Sequence, residues 1–283
     1  MIDETAEEIR EMQTHSSSAV AVKAARALAD LTEREFATVE EYVRALERNS
    51  GTLRSANPSH ASLWSTQREI LRAVTEADAD SVGAAKERTL QAIDRVVADV
   101  EGAKDDAAAR AAGTIEDGEV LLTHDYSTTV LEAIRKATER GDAVTVWVTE
   151  ARPRFLGRKT ARALSEIDGV DATLVVDSAS GYALDRCDRV LVGMDCIVED
   201  TLYNRVGTYP IAAVATDLDV PVDVVGSSAK LVSSGFRFEN DFRSTSEVTL
   251  EPADGFAVTN PAYDGTPTRL LRQVITDEGI EGL

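Results

Sequence analysis

Five short segments concentrate the side chains able to do chemistry: His124 to Ser127, Glu150 to Arg154, Asp177 to Ser180, Gly193 to Asp195, and Gly226 to Lys230. They hold four carboxylates (Asp125, Glu150, Asp177 and Asp195), two arginines flanking a proline (Arg152 and Arg154), and Lys230. Asp195 reads as an acceptor of ligand hydroxyls or a proton-transfer group, against the ordinary alternative of a turn or helix-capping aspartate. Asp125 reads either as the cap of the helix that follows or as a second acid–base group. Two carboxylates about 4 Å apart repel by roughly 4 kcal/mol at an effective dielectric near 20, so such a pair requires a proton or a cation between them. Ser127, Thr128 and Thr129 open a helix whose N–H groups and hydroxyls suit an anion. Arg152 and Arg154 can grip a phosphate in bidentate fashion, or bind carboxylates within the protein. Lys230 stands out in a chain with only six lysines. His15 with Ser16 can either present N–H groups to an anion or cap a helix. The chemistry points to a small phosphorylated ligand.

Each of the five segments follows a short apolar run. Val120 to Thr123, Ala143 to Val148, Ala172 to Val176, Arg189 to Val192 and Val222 to Val225 read as buried strands, with helices at Thr128 to Glu139, Lys159 to Ile167 and Thr208 to Thr216 between them. Alternating strands and helices imply a parallel sheet covered on both faces, and ligands of such sheets bind outside the carboxyl ends of the strands. A last helix is predicted over Thr268 to Thr276. Residues 1–115 read instead as helix throughout, on apolar positions at the 3.6 period such as Val20, Ala24, Ala27, Leu28 and Leu31. Thr32 with Glu35 forms a capping-box pattern and Gly51 a stop signal. The expected class is α/β: a helical bundle over 1–115, then a Rossmann-like parallel-sheet domain over 116–283.

The chain of 283 residues sets 30 Lys plus Arg against 50 Asp plus Glu, a formal charge of −20. That excess argues against direct nucleic-acid binding, which depends on Lys and Arg displacing counterions. Acid-rich and lysine-poor, the surface has the composition of proteins from salt-loving organisms. No apolar stretch approaches the roughly 20 residues of a membrane span, and the start lacks the pattern of an export signal, so a cytoplasmic location is expected. Cys187 and Cys196 lack metal-ligand spacing. No GxGxxG, Walker A, HExxH or GxSxG pattern occurs, and neither a metal nor a cofactor is expected.

Six motifs in fixed order carry a resemblance: Thr123 to Ser127, Thr149 to Arg154 with Gly157, Asp177 to Ser180, Val192 to Asp195, Asn204 to Thr208, and Asn260 to Asp264 followed by Thr266, Pro267 and Ile275 to Gly279. Together they resemble the family uniting the alpha, beta and delta subunits of translation initiation factor 2B with ribose-1,5-bisphosphate isomerase and 5-methylthioribose-1-phosphate isomerase. For the isomerases the resemblance implies an aldose-to-ketose conversion of a sugar 1-phosphate that uses an aspartate, which maps to Asp195, and a cysteine, which maps to Asp125. Asn204 and its basic neighbour Arg205 match the pattern. An Arg-Gly pair that cradles phosphate falls at about His15 and Ser16, and an arginine before a proline falls at Asn57. These departures argue against a retained isomerase reaction on a bisphosphate; the initiation factor subunits also lack the cysteine, and Thr123 to Val130 look closer to their alpha subunit. The resemblance then implies a regulatory or assembly protein that binds a sugar phosphate or nucleoside monophosphate, meets initiation factor proteins, and forms a homodimer through its C-terminal domain. The alternative is an isomerase with altered chemistry, in which Asp125 and Asp195 share proton transfer.

Overall fold

The structure, a computed structural model, describes residues 2–11, 17–76, 79–232, 235–251 and 254–283. It divides into two compact units, one of Met1–Ala103 with Gly235–Arg237 and one of Lys104–Ser234 with Phe238–Leu283. Among the described residues no helix is long and apolar enough to cross a membrane.

The first unit is helical: α1 (Ile2–Arg10), α2 (Ser17–Ala27), α3 (Val39–Ala56), α4 (Ala61–Thr75) and the first two-thirds of α5 (Val82–Ala112). Their apolar faces meet in one core that includes Leu28, Leu31, Tyr42, Leu46, Leu53, Leu63 and Ile70. The capping box expected at Thr32 and Glu35 does not form. Thr32 Oγ1 turns back to the Ala29 carbonyl at 2.7 Å, and α3 is capped by Thr38, whose side chain accepts from the Glu41 N–H at 3.2 Å. Nor does Gly51 stop the helix, which runs on to Ala56 because its flanking residues Ser50 and Leu53 are buried on one face.

The second unit carries β1 (Val120–His124), α6 (Thr128–Glu139), β2 (Val144–Thr149), α7 (Leu156–Leu164), β3 (Val170–Val175), α8 (Ser180–Leu184), β4 (Arg189–Gly193), β5 (Cys196–Val198), β6 (Thr201–Arg205), α9 (Thr208–Asp217), β7 (Val222–Val225), β8 (Leu231–Val232), β9 (Tyr263–Pro267), β10 (Gln273–Ile275) and β11 (Ile280–Gly282). Seven strands form one sheet in the order β11-β10-β7-β4-β1-β2-β3, parallel except for β11. Successive strand residues feed opposite faces. Leu121, Leu191, Val225 and Ile275 enter one core with α6 and α7, while Leu122, Val190, Val224 and Val274 enter another with α8 and α9. This is the two-faced burial expected of parallel strands.

The helix predicted at Thr268 to Thr276 is instead a short 3-10 turn followed by β10. Leu270, Leu271, Val274 and Ile275 fit either periodicity, and pairing of β10 with β7 decides the outcome. A second sheet, in the order β8-β5-β6-β9, stands beside the first. Its strands of two to five residues leave too short a pattern to be read from sequence.

Candidate functional site

The strand order reverses direction between β1 and β4, so the crevice at their carboxyl ends is the switch point where such sheets bind ligands. Asp125 follows β1 and Asp195 lies just beyond β4. The approach is close: a Cβ on Gly193 would lie 2.5 Å from Ser127 Oγ. At the end of β2 a Cβ on Gly157 would lie 1.8 Å from the Thr149 carbonyl oxygen, so only glycine lets α7 start there. Asp125, Ala151 and Phe155 adopt φ values of 62°, 57° and 57°. Non-glycine residues held in the left-handed region gather where a loop is shaped for function, and two of these three, Asp125 and Ala151, line one cavity.

That cavity is half open, with about 320 Å³ of free space counting its solvent-filled mouth, and is lined by Asp125, Ala151, Arg152, Pro153, Arg154, Leu156, Arg205, Val206, Arg243, Asn260, Pro261 and Ala262. Four of these are arginines and one is a carboxylate. Arg205 Nε sits 3.3 Å from Asp125 Oδ2, with both side chains about nine-tenths buried. Burial opposes the charge on Arg205, yet the surrounding Tyr263, Asp195, Asp125 and Asp241 hold its pKa above the usual arginine value. A fixed cation therefore lies within the influence of both aspartates. Arg154 is pushed below the usual arginine value by burial and by the guanidiniums of Arg243 and Arg205, against the opposing pull of Glu247 and Asp125. A guanidinium repelled by two others is relieved by an anion beside it.

The loop carrying Arg152 is fixed from β3: Asp177 accepts from the Ala151 N–H at 2.8 Å and from the Arg152 N–H at 2.6 Å. The exposed Arg152 guanidinium donates to the Val248 carbonyl at 3.1 Å and lies over the Phe155 ring. Asp125 holds α7 through its carbonyl, which accepts from Thr160 Oγ1 at 2.6 Å. His124 bridges Thr149 Oγ1 at 2.6 Å and the Val206 carbonyl at 2.9 Å. The carbonyl can only accept, so Nε2 carries the proton and the ring is a structural tie.

Other sequence-derived candidates lie outside the cavity lining. Ser127 caps α6, its Oγ accepting from the Val130 N–H at 3.3 Å; Thr128 and Thr129 form the first turn of that helix. Asn204 is buried and donates to Thr208 Oγ1 at 3.1 Å. Lys230 is buried, with Nζ donating to the Met194 carbonyl at 2.7 Å; burial lowers its pKa, while the nearby charge of Asp195 works to raise it. Asp195 itself does not line the cavity; its charge acts on Arg205 and Lys230. His15 and Ser16 lie outside the described residues. Sequence reasoning missed Arg243, and it took the Asn260 to Asp264 motif as scaffold and dimer surface, whereas Asn260 lines the cavity. Arg243 pairs with Glu247 at 2.8 Å, and Asn260 Nδ2 donates to Glu247 Oε2 at 3.1 Å. An Arg-x-x-x-Glu spacing was the one signal for Arg243, in a stretch without strand periodicity.

Neither thiol offers a nucleophile. Burial, followed by the charge of Asp188, pushes Cys187 up to about 12, and burial, followed by Asp195, pushes Cys196 higher still.

The chain is 32% identical to a ribose 1,5-bisphosphate isomerase of Haloferax volcanii, over 97% of this chain and 87% of that one. It is 30% identical to a protein of the same name from Methanocaldococcus jannaschii, over 99% and 91%. The crystal structure of a Pyrococcus horikoshii protein described as translation initiation factor eIF-2B superposes with a TM-score of 0.82 at 27% identity, covering 99% of this chain and 96% of that one. The model of the initiation factor 2 subunit family matches residues 13–281: the chain belongs to that family.

Proposed function

We propose that the chain is a sugar-phosphate aldose–ketose isomerase that acts on a ribose 1,5-bisphosphate-like substrate with Asp125 and Asp195 sharing proton transfer. The four-arginine cavity holding Asp125 against Arg205 carries this reading, and the similarity to proteins named as ribose 1,5-bisphosphate isomerases supports it over a regulatory role. The reaction needs a proton taken from C2 as the ring bond between C1 and oxygen breaks, and a proton given to the departing oxygen. The resulting enol phosphate takes a proton at C1 while its C2 hydroxyl loses one, leaving a ketone. Proton gains and losses cancel. Two carboxyl groups beside a fixed cation can carry such transfers, and positioned acid–base groups accelerate them by about 10²–10⁴.

A second reading, binding without turnover, is favoured by one observation: Asp125 stands where the resemblance places the isomerase cysteine, and both thiols of the chain are buried. Incubation with ribose 1,5-bisphosphate, followed by phosphorus NMR, separates the two. Formation of ribulose 1,5-bisphosphate that is lost in Asp195→Asn supports the isomerase. Saturable binding without product establishes the second reading, and absence of binding removes both.

A further inference from the structure

Register places Tyr263 of β9 directly opposite Arg205 of β6. Tyr203, two residues before Arg205, shares their face of the small sheet, and Phe238 stacks on it at 3.9 Å while meeting Tyr263 edge-on at 5.4 Å. The Tyr263 backbone is held at both ends by one amide: Asn240 Nδ2 donates to its carbonyl at 2.9 Å, and its N–H donates to Asn240 Oδ1 at 3.2 Å. The Arg205 guanidinium lies over the ring, 4.7 Å from its centre.

Tyr263 is only 1% exposed, yet neither its hydroxyl nor Arg205 Nη1 has a hydrogen-bond partner among the described residues. Buried tyrosine hydroxyls ordinarily find one. Phenylalanine would fill the same aromatic slot without stranding a polar atom, so packing does not account for the hydroxyl. Tyr263 lies behind the cavity wall rather than in it, next to Arg205 and Ala262, which line it; besides Arg205, the charges of Asp195, Asp241 and Asp125 act on this phenol, and burial holds it in its protonated, hydrogen-donating form. Two unpaired donors from facing strand positions ask for one oxygen that carries no proton of its own, either a phosphoryl oxygen or an oxyanion.

We propose that Arg205 Nη1 and the Tyr263 hydroxyl form a paired donor subsite for one acceptor oxygen of the sugar phosphate, making Tyr263 a further ligand-binding residue. The subsite rests on the function proposed above. Tyr263→Phe removes only the hydroxyl. Thermal unfolding and calorimetric titration with ribose 1,5-bisphosphate, ribose 5-phosphate and inorganic phosphate are expected to show two changes of opposite sense. Without ligand, the variant melts at or above the wild-type temperature, because an orphaned buried group is gone. With ribose 1,5-bisphosphate, its Kd rises about tenfold, the scale of one lost hydrogen bond to a charged group. A variant that binds within twofold of wild type, or that melts several degrees lower without ligand, overturns the subsite and leaves the proposed function standing. A wild type that binds none of the three probes overturns both.

Discussion

The two ends of the parallel sheet each gather buried charge, and they solve the problem in opposite ways. At the amino end, Arg189 donates to Asp223 and to Glu119, each at 2.9 Å. Arg272 Nε reaches Asp223 Oδ1 at 2.8 Å, and Gln273 Nε2 reaches Asp223 Oδ2 at 2.9 Å. Two cations meet two anions, and Asp223 is wholly buried. At the carboxyl end, four arginines and one carboxylate line a half-open cavity, and Arg205 Nη1 is left unpaired. At the amino or closed end each cation has an anion, although Arg189 Nε, like Arg205 Nη1, has no hydrogen-bond partner among the described residues; at the carboxyl or open end arginines outnumber the carboxylate around the cavity, an arrangement expected to suit an anion.

The largest effect is expected from breaking the closed end. Asp223→Ala leaves Arg189 buried with half of its compensation and frees Arg272. Removing one partner of a buried pair costs about 3–5 kcal/mol, read as a lowered denaturant midpoint with an unchanged slope. Affinity of the remaining folded protein for ribose 1,5-bisphosphate is expected to stay the same. A loss below about 1 kcal/mol, the scale of an exposed ion pair, would erase the distinction between the two ends.

At the open end, substitution is expected to change function and spare the fold. Asp195→Asn is expected to lower turnover by about 10²–10⁴ with affinity retained within a few-fold. Unaltered turnover would move the acid–base role away from Asp195. Arg154→Met is expected to weaken ribose 1,5-bisphosphate binding about ten- to hundredfold, from hydrogen bonds to a charged group worth about 1.5–3 kcal/mol. Ligand-free stability is expected to change little, because burial and repulsion from Arg243 and Arg205 oppose the attraction of Glu247 and Asp125 for Arg154. A stability loss like that of Asp223→Ala would mean that Arg154 is a structural ion.

The two ends also differ in how far sequence reveals them. Asp125, Arg152 and Arg154 are legible because each closes a strongly apolar strand whose partners are buried on both faces; the helix α6 and the strand β7 match their predicted bounds residue for residue. Arg205 is legible only through the family resemblance. Arg243, Asn260 and Tyr263 reach the site through loops and short strands, where placement depends on long-range pairing of β6 with β9 rather than on local periodicity. The same holds for β10, whose apolar residues suit a helix until β7 pairs with them. At the closed end, Asp223 lies inside an apolar run and looks like an interruption. Its meaning appears only when Arg189 and Arg272, far apart in the chain, are brought beside it.

The smallest expected effect concerns the thiols, and it tests whether the open end depends on its carboxylates. Cys187, at about 12, carries roughly one thiolate in ten thousand molecules at pH 8, and Cys196 is raised further by burial beside Asp195. A thiolate is the reactive form, so labelling by a disulfide reagent in the folded protein is expected to be negligible near neutrality and to rise about tenfold per pH unit below the thiol pKa. Both thiols should react promptly once the chain is unfolded, and turnover should be unchanged by the reagent at pH 7. Prompt labelling of Cys196 at pH 7, with turnover lost in step, would give the site a sulfur nucleophile and remove the need for Asp125 in proton transfer. Unchanged turnover leaves proton transfer with oxygen groups, and makes the difference between the two ends one of arrangement: two cations matched to two anions at one end, and four arginines with one carboxylate lining a cavity at the other.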